Sequence, residues 1–313
     1  MTSSGINNEG PEGKNIMGEF AENEIEAFFS NFINWKLIYK NVDLKSLKHP
    51  DEEEYENRGY DFIYKLHEPF DAINRGIIIE TKKVGDISNF KPSTLTKHIE
   101  ILKYKINQAN HSEELYENPN IKFDNIHLFR YGILCYRFFK FNLDKYYKVL
   151  KQIEISDTKS KRPNFPTIFV LSNDRLHAFS EWKKLIKGQL KFYDRDPLSI
   201  NHLVENERMS LFHLFSDIIP FSEYDSNLNK CNGILSFDKP KLETFLFIED
   251  FCRNFNFPIS KIIFVNCDIS KSSLYDQDKS KITFFKDISP DYCGPMGPEG
   301  MDCNNIKLDK VFV

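Results

Sequence analysis

The sequence predicts an α/β protein in which helices cover both faces of a central mixed sheet, followed by an α+β region. Segments with helical spacing of apolar residues alternate with short apolar segments of strand composition over the first 175 residues. The 313 residues are 41% hydrophobic and 14% aromatic, enough to bury a large core. We expect a flexible tail over residues 1–16, a main domain over 17–175 and a C-terminal region over 176–313.

Two amphipathic helices are predicted in the first 110 residues. The first covers residues 18–35, and the second begins near Ser93 or Thr94, either of which can serve as its N-cap. Spacings of three and four residues place apolar side chains on one face of each helix. These side chains are Ala21, Ile25, Phe28, Phe29 and Phe32 in the first helix, and Leu95, Ile99, Leu102, Ile106 and Ala109 in the second.

A hairpin is predicted between these helices. Residues 60–66 and 76–84 have strand composition and are joined by a loop over residues 67–74. Further strands and a helix complete the main domain. They are expected as one long or two short strands over 125–139, a helix over 143–153 and a buried strand over 167–172.

The C-terminal region contains both periodic patterns but no recognisable motif. Its pattern predicts helices over residues 178–187, 200–215 and 242–255, and strands over 261–266 and 281–285. Frequent Pro and Gly after residue 287 predict an irregular surface segment. We expect this region to recognise a ligand or dock a partner.

Charge is unevenly distributed along the chain. The net charge is −4, yet residues 130–195 carry 15 Lys or Arg against 6 Asp or Glu. This stretch is either a candidate phosphate-binding face or a set of ordinary solvated lysines. Basic and aromatic residues interleave over 130–151, where core packing of Phe138, Phe139 and Phe141 is favoured over base stacking.

Several functional classes find no support in the sequence. There is no signal peptide pattern and no apolar stretch long enough for a membrane span, so a cytoplasmic protein is expected. The six cysteines form no Cys-x-x-Cys pair, and we expect them to be reduced and structural. Metalloprotease, esterase and Walker motifs are lacking. His98 and Gln108 lie on or near the second helix and could approach a substrate, but a surface role is favoured for each.

Three charged residues are predicted to converge on the hairpin. A loop over residues 67–74 pairs positions whose numbers sum to 141, which sets Asp61 opposite Glu80. Side chains alternate along a strand, so Lys82 projects on the same face as Glu80. Two facing carboxylates repel each other and favour a compensating cation, and their hard oxygens suit Mg²⁺ or Mn²⁺.

The Gly-Tyr-Asp-Phe segment that contains Asp61, followed by the Glu-Thr-Lys segment from Glu80 to Lys82, resembles the signature of PD-(D/E)XK phosphodiesterases. That superfamily includes restriction enzymes and Mrr-like nucleases, and the resemblance implies a restriction-endonuclease-like αβββαβ core. It also implies an acidic metal ligand on the first helix, for which Glu22 is the first choice and Glu19 the second. The chain departs from the family's nominal Pro-Asp because Tyr60 precedes Asp61.

The resemblance implies a metal-dependent endonuclease with Asp61, Glu80 and Lys82 as catalytic residues and Asp61, Glu80 and Glu22 as metal ligands. The expected cofactor is Mg²⁺ or Mn²⁺, and the expected substrate is DNA, in restriction or anti-phage defence. A non-catalytic nucleic-acid-binding or scaffold subunit and an RNA nuclease are the alternatives. Because the chain is acidic overall, we expect a partner subunit or self-association to complete the binding groove.

Overall fold

The computed structural model describes residues 22–45, 57–68, 73–157, 166–196, 198–199 and 201–295. The predicted tail over residues 1–16 lies outside them. Within these residues the chain forms two sheets, one of five strands and one of six. No helix of this described part is long and apolar enough to cross a membrane.

The first sheet and its helices are built from the N-terminal part of the chain. Helix α1 covers residues 22–32 and ends in a π-helical turn over Phe28–Phe32. The following elements are β1 Lys36–Lys45, β2 Asn57–Lys65, β3 Arg75–Asp86, α2 Pro92–Asn110, α3 Glu113–Glu117, α4 Pro119–Asp124, β4 Leu128–Lys140, α5 Leu143–Asp157 and β5 Thr167–Leu171.

The second sheet is built from the rest of the chain. Its elements are α6 Asn173–Leu185, β6 Gln189–Arg195, β7 Leu203–Asn206, α7 Leu211–Phe215, β8 Ile218–Tyr224, β9 Lys230–Ser236, α8 Leu242–Asn254, β10 Lys261–Phe264, α9 Ser272–Ser280 and β11 Pro290–Tyr292. The strand order is β11-β10-β9-β8-β6-β7, with parallel pairing from β9 to β11 and antiparallel pairing elsewhere.

The first sheet is mixed, as the sequence predicts. Its strand order is β1-β2-β3-β4-β5, with antiparallel pairs up to β3 and parallel pairs from β3 to β5. The parallel pair β3–β4 is connected through α2, which packs on β4. The predicted hairpin register is confirmed, because Phe62 pairs with Ile79 and Ile63 with Ile78.

Alternating side chains along β3 divide the core into two layers. Ile77 and Ile79 pack with α1 and α6 on one face, whereas Ile78 packs with α2 and α5 on the other. We call these the α1 face and the α2 face. The core on the α1 face continues into the second sheet, and Trp35 Nε1 donates a hydrogen bond to the Met209 carbonyl across the two sheets, at 2.7 Å.

Two element predictions in the C-terminal region are wrong. The expected helix over residues 200–215 is strand β7 followed by the short helix α7. Ser210 starts that helix, because its side chain accepts a hydrogen bond from the His213 N–H in a capping box. The expected strand over 281–285 is a 3₁₀ turn, Thr283–Phe285, which follows α9. The segment after residue 287 is partly regular, since β11 pairs with β10.

Two smaller expectations are also corrected. Helix α2 begins at Pro92, with Lys91 rather than Ser93 or Thr94 at the N-cap position, because proline is favoured in the first turn of a helix. Gln108 is buried rather than exposed, and its side-chain amide donates to the Leu44 carbonyl at 3.4 Å. The pattern also missed β1, α3, α4, β6, β8, β9 and α9.

Candidate active site

Strands β2 and β3 separate at Asp61. Their ladder runs from the pair Lys65–Gly76 to the pair Phe62–Ile79 and ends there, while β2 stays paired with β1 as far as Asn57. Side-chain alternation breaks at the same point. Phe62 packs on the α1 face and Tyr60, two residues earlier, packs on the α2 face. The separation forms a fork with Asp61 on one arm and Glu80 on the other.

The three residues that the sequence predicts for the site meet at this fork. Asp61 Oδ2 accepts a hydrogen bond from the backbone N–H of Thr81, at 2.6 Å. Lys82 Nζ lies 3.0 Å from Glu80 Oε2. Glu80 is almost fully buried, whereas Asp61 and Lys82 remain partly exposed. The fork therefore presents a carboxylate and an ammonium group to solvent above a buried carboxylate.

A second ammonium group, on α2, holds Glu80 from the opposite side. Lys105 Nζ lies 2.6 Å from Glu80 Oε1 and also donates to the Gly59 carbonyl at the end of the other arm. The Tyr60 hydroxyl donates to the Lys105 carbonyl at 3.1 Å. Lys105 is buried, so its charge is compensated by Glu80 in an environment where an unpaired charge is costly. Helix α2 is thereby tied to both arms of the fork.

The electrostatics of the fork follow from burial and from the two neighbouring carboxylates. Burial raises the pKa of Asp61 above its usual value, and the negative charge of Glu80 raises it further. The Thr81 N–H and the charges of Lys82 and Lys105 act in the opposite direction. Ionised Asp61 is therefore disfavoured at this position, which is the condition that a bound cation relieves.

The first helix places two acidic residues differently. The carboxylate of Glu22, partly exposed, accepts a hydrogen bond from Asn41 Nδ2 at 3.3 Å, and Asn41 lies across β1–β2 from Asp61. Glu24 is buried and forms an ion pair with Arg137 of β4, at 2.8 Å between Oε2 and Nε. Glu22 is thus held by β1, the strand next to the arm of the fork that carries Asp61. Its role as a metal ligand stays a prediction, and Glu19 lies outside the described residues.

Within its described residues, 130–157 and 166–195, the basic stretch does not form one face. Arg137 is buried in the ion pair with Glu24. Arg175 donates hydrogen bonds to the carbonyls of Leu214 and Ser216, and its guanidinium packs on the ring of Phe237. Helix α5 packs on the α2 face and α6 on the α1 face, so their lysines lie on opposite sides of the sheet. The sequence shows the charge but not its separation by the fold.

Comparison with known proteins places the N-terminal part of the chain in a family. Residues 11–175 match the model described as the GAPS4 protein PD-(D/E)XK nuclease domain. The chain belongs to that family. The match spans the first sheet, the fork and helix α2. No curated protein and no solved structure gives a significant match to the chain.

Members of the PD-(D/E)XK superfamily generally use divalent metals. The fork of this nuclease domain offers carboxylate oxygens, which are the donors that such an ion prefers. Among the described residues, Asp61 Oδ1 accepts no hydrogen bond, and its neighbour Glu80 supplies further hard oxygens. In that same part of the chain, no three His, Cys, Asp or Glu side chains cluster as a ready ligand set. A metal here would bind through two carboxylates and complete its shell with water or substrate.

Two residues beside the predicted site of this nuclease domain were not predicted from the sequence. Lys105 follows Leu102 by three residues and precedes Ala109 by four, so it falls on the apolar stripe of α2. Tyr136 is the strand partner of Lys82. A charged residue on an apolar stripe was the available signal for Lys105. Tyr136 carried no signal, since a buried aromatic on a central strand is ordinary core.

Proposed function

We propose that this chain is a metal-dependent endonuclease that hydrolyses phosphodiester bonds in DNA. The observation that supports the proposal is the convergence of Asp61, Glu80 and Lys82 at the fork of a PD-(D/E)XK nuclease domain. The matched family is anti-phage-associated, which supports a role in restriction or anti-phage defence.

In this proposal, Asp61 and Glu80 would hold Mg²⁺ or Mn²⁺ through their oxygens, with Glu22 of the first helix as a third ligand. The bound metal supplies charge neutralisation at the scissile phosphate and lowers the pKa of a water molecule. Lys82 stabilises negative charge that builds up on the phosphate and orients the attacking water. Lys105 keeps Glu80 in place, because it pairs with the carboxylate oxygen that Lys82 does not contact.

A partner subunit or a second copy is also part of the proposal. The C-terminal region exposes large apolar side chains that a monomer leaves in water, among them Phe212, Leu228 and Phe247. The net charge of −4 disfavours tight binding of DNA by the chain alone. Light scattering of the purified protein tests this point, and a strictly monomeric enzyme with full activity would contradict it.

The nuclease proposal is tested with supercoiled plasmid and with a single-stranded RNA of matched length. Each substrate is incubated with the protein in Mg²⁺, in Mn²⁺ and in EDTA, with and without any partner encoded beside it. We expect metal-dependent nicking that is abolished in Asp61→Ala and Lys82→Ala. Lys83→Ala is the matched control for Lys82, since Lys83 is an exposed lysine on the same strand whose side chain points to the opposite face.

Each outcome separates the competing functions. Cleavage of RNA alone would replace DNA as the substrate. Loss of cleavage in Lys83→Ala as well would indicate a general effect of strand charge rather than a role for Lys82. No cleavage in any condition, with equal Mn²⁺ binding by wild type and Asp61→Ala, would favour a non-catalytic binding or scaffold subunit.

A further inference from the structure

Helix α2 brings an imidazole to the side of the fork that carries Lys82. Lys82 and Tyr136 are partners on adjacent parallel strands, and Tyr136 packs on the α2 face, where its ring stacks on His98 of α2. The ring centroids are 5.9 Å apart, and His98 Nδ1 lies 2.6 Å from the Tyr136 hydroxyl. Burial lowers the pKa of His98 most, the charges of Lys82 and Lys97 lower it further, and the charge of Glu80 raises it.

The hydrogen bond to Tyr136 determines which ring nitrogen of His98 carries the proton. Tyr136 is fully buried, and burial raises its pKa, so the hydroxyl keeps its hydrogen. His98 Nδ1 is its hydrogen-bond partner within the described part of the chain. A buried hydroxyl that left its hydrogen unpaired would be costly, so it donates to Nδ1. A ring nitrogen that accepts a hydrogen bond carries no hydrogen, so the one ring proton of His98 is on Nε2. Burial, which lowers the pKa of His98, acts in the same direction.

The Nε2–H group is available to a ligand. His98 is only partly buried, and among the described residues Nε2 has no hydrogen-bond partner. Lys82 is partly exposed on the same face. Two hydrogen-bond donors, one charged and one neutral, thus line the same side of the fork. Such a pair suits an anionic group with several acceptor oxygens, as a phosphodiester has.

We propose that His98 contacts the substrate, with its Nε2–H donating a hydrogen bond to a non-bridging oxygen of the phosphate that Lys82 also contacts. This inference rests on the proposed nuclease function and adds a residue on α2 to its site. Tyr136 is the positioning residue, because it holds the imidazole in the tautomer that donates from Nε2. The structural alternative is that His98 only packs on Tyr136 through its ring.

The experiment compares His98→Gln with His98→Asn. The Gln amide nitrogen reaches about as far as Nε2, whereas the Asn amide reaches only as far as Nδ1. Neither side chain stacks as an imidazole does. We expect His98→Asn to lower kcat on plasmid by about 100-fold, the effect of losing one preorganised donor. The kcat of His98→Gln should be at least about 10-fold higher than that of His98→Asn. Urea midpoints of the two variants should agree.

A binding measurement gives a readout that does not require cleavage. Fluorescence anisotropy of a short labelled DNA duplex is recorded in EDTA for wild type, both His98 variants and Asp61→Asn. We expect His98→Asn to bind more weakly than His98→Gln. Equal loss in both variants would assign His98 to ring packing and overturn the inference, and so would wild-type behaviour of both. If wild type neither cleaves nor binds, the proposed function and this inference are both overturned. Cleavage that is lost only in Asp61→Asn would overturn this inference alone.

Discussion

The ammonium group of Lys105 provides a direct test of how the fork is held together. Lys105→Met keeps most of the apolar stem and removes the charge that pairs with Glu80 Oε1 at 2.6 Å. Breaking a buried ion pair from one side costs about 3–5 kcal/mol. Because Lys82 still contacts the other Glu80 oxygen, we expect the lower end, about 3 kcal/mol, which lowers Tm by about 6–12 °C.

Urea unfolding in EDTA measures this effect in the absence of metal. The chain has two tryptophans, Trp35 and Trp182, and both are buried on the α1 face, so their fluorescence reports loss of the shared core. Lys97→Met is the control, an exposed lysine on the same helix, and should change stability by less than about 0.5 kcal/mol.

A double variant separates the ion pair from packing. Glu80→Gln combined with Lys105→Met removes both charges. The loss of unfolding free energy in this double variant should therefore be smaller, by about 2 kcal/mol, than the sum of the losses in the two single variants. Simple additivity, or a Lys105→Met protein as stable as Lys97→Met, would refute the conclusion that Lys105 compensates the buried charge of Glu80.

Three further perturbations test other parts of the domain. Glu24→Gln removes the carboxylate charge that pairs with the buried guanidinium of Arg137 and should lower the free energy of unfolding by about 3–5 kcal/mol in urea. Gly132→Ala places a Cβ 2.8 Å from Leu102 of α2 and should cost about 1–3 kcal/mol in the same assay. Asp61→Asn should raise Tm near neutral pH in EDTA, because a raised pKa means that the folded state disfavours the ionised carboxyl.

The pH dependence gives the sign of the Asp61 effect. Wild type is destabilised by ionised Asp61 above its folded pKa, and the penalty disappears as pH falls through that pKa and then through the unfolded value. The Tm advantage of Asp61→Asn should therefore shrink on acidification. An advantage that grows would contradict the raised pKa of Asp61.

Glu22→Gln, at a partly exposed carboxylate, is the control for Glu24→Gln. Equal losses of stability in both variants would contradict the role of the buried ion pair.

Local patterns in the sequence were sufficient for the main helices, the hairpin and its register. The apolar stripes of α1 and α2 follow from helical geometry, and the register follows because a short loop leaves few ways to pair two apolar strands. The same register predicted that Asp61 and Glu80 are paired, but the ladder ends one pair earlier, at Phe62–Ile79, where the strands separate. The Glu-Thr-Lys segment supplied the resemblance that the family match over residues 11–175 confirms.

Tertiary structure alone decided which charged residues are buried and what they contact. Glu24 is separated from Arg137 by 113 positions, and Lys105 from Glu80 by 25, so no local window contains either pair. A charge on an amphipathic helix lies in water or in the core according to the element packed against it, and folding alone supplies that element.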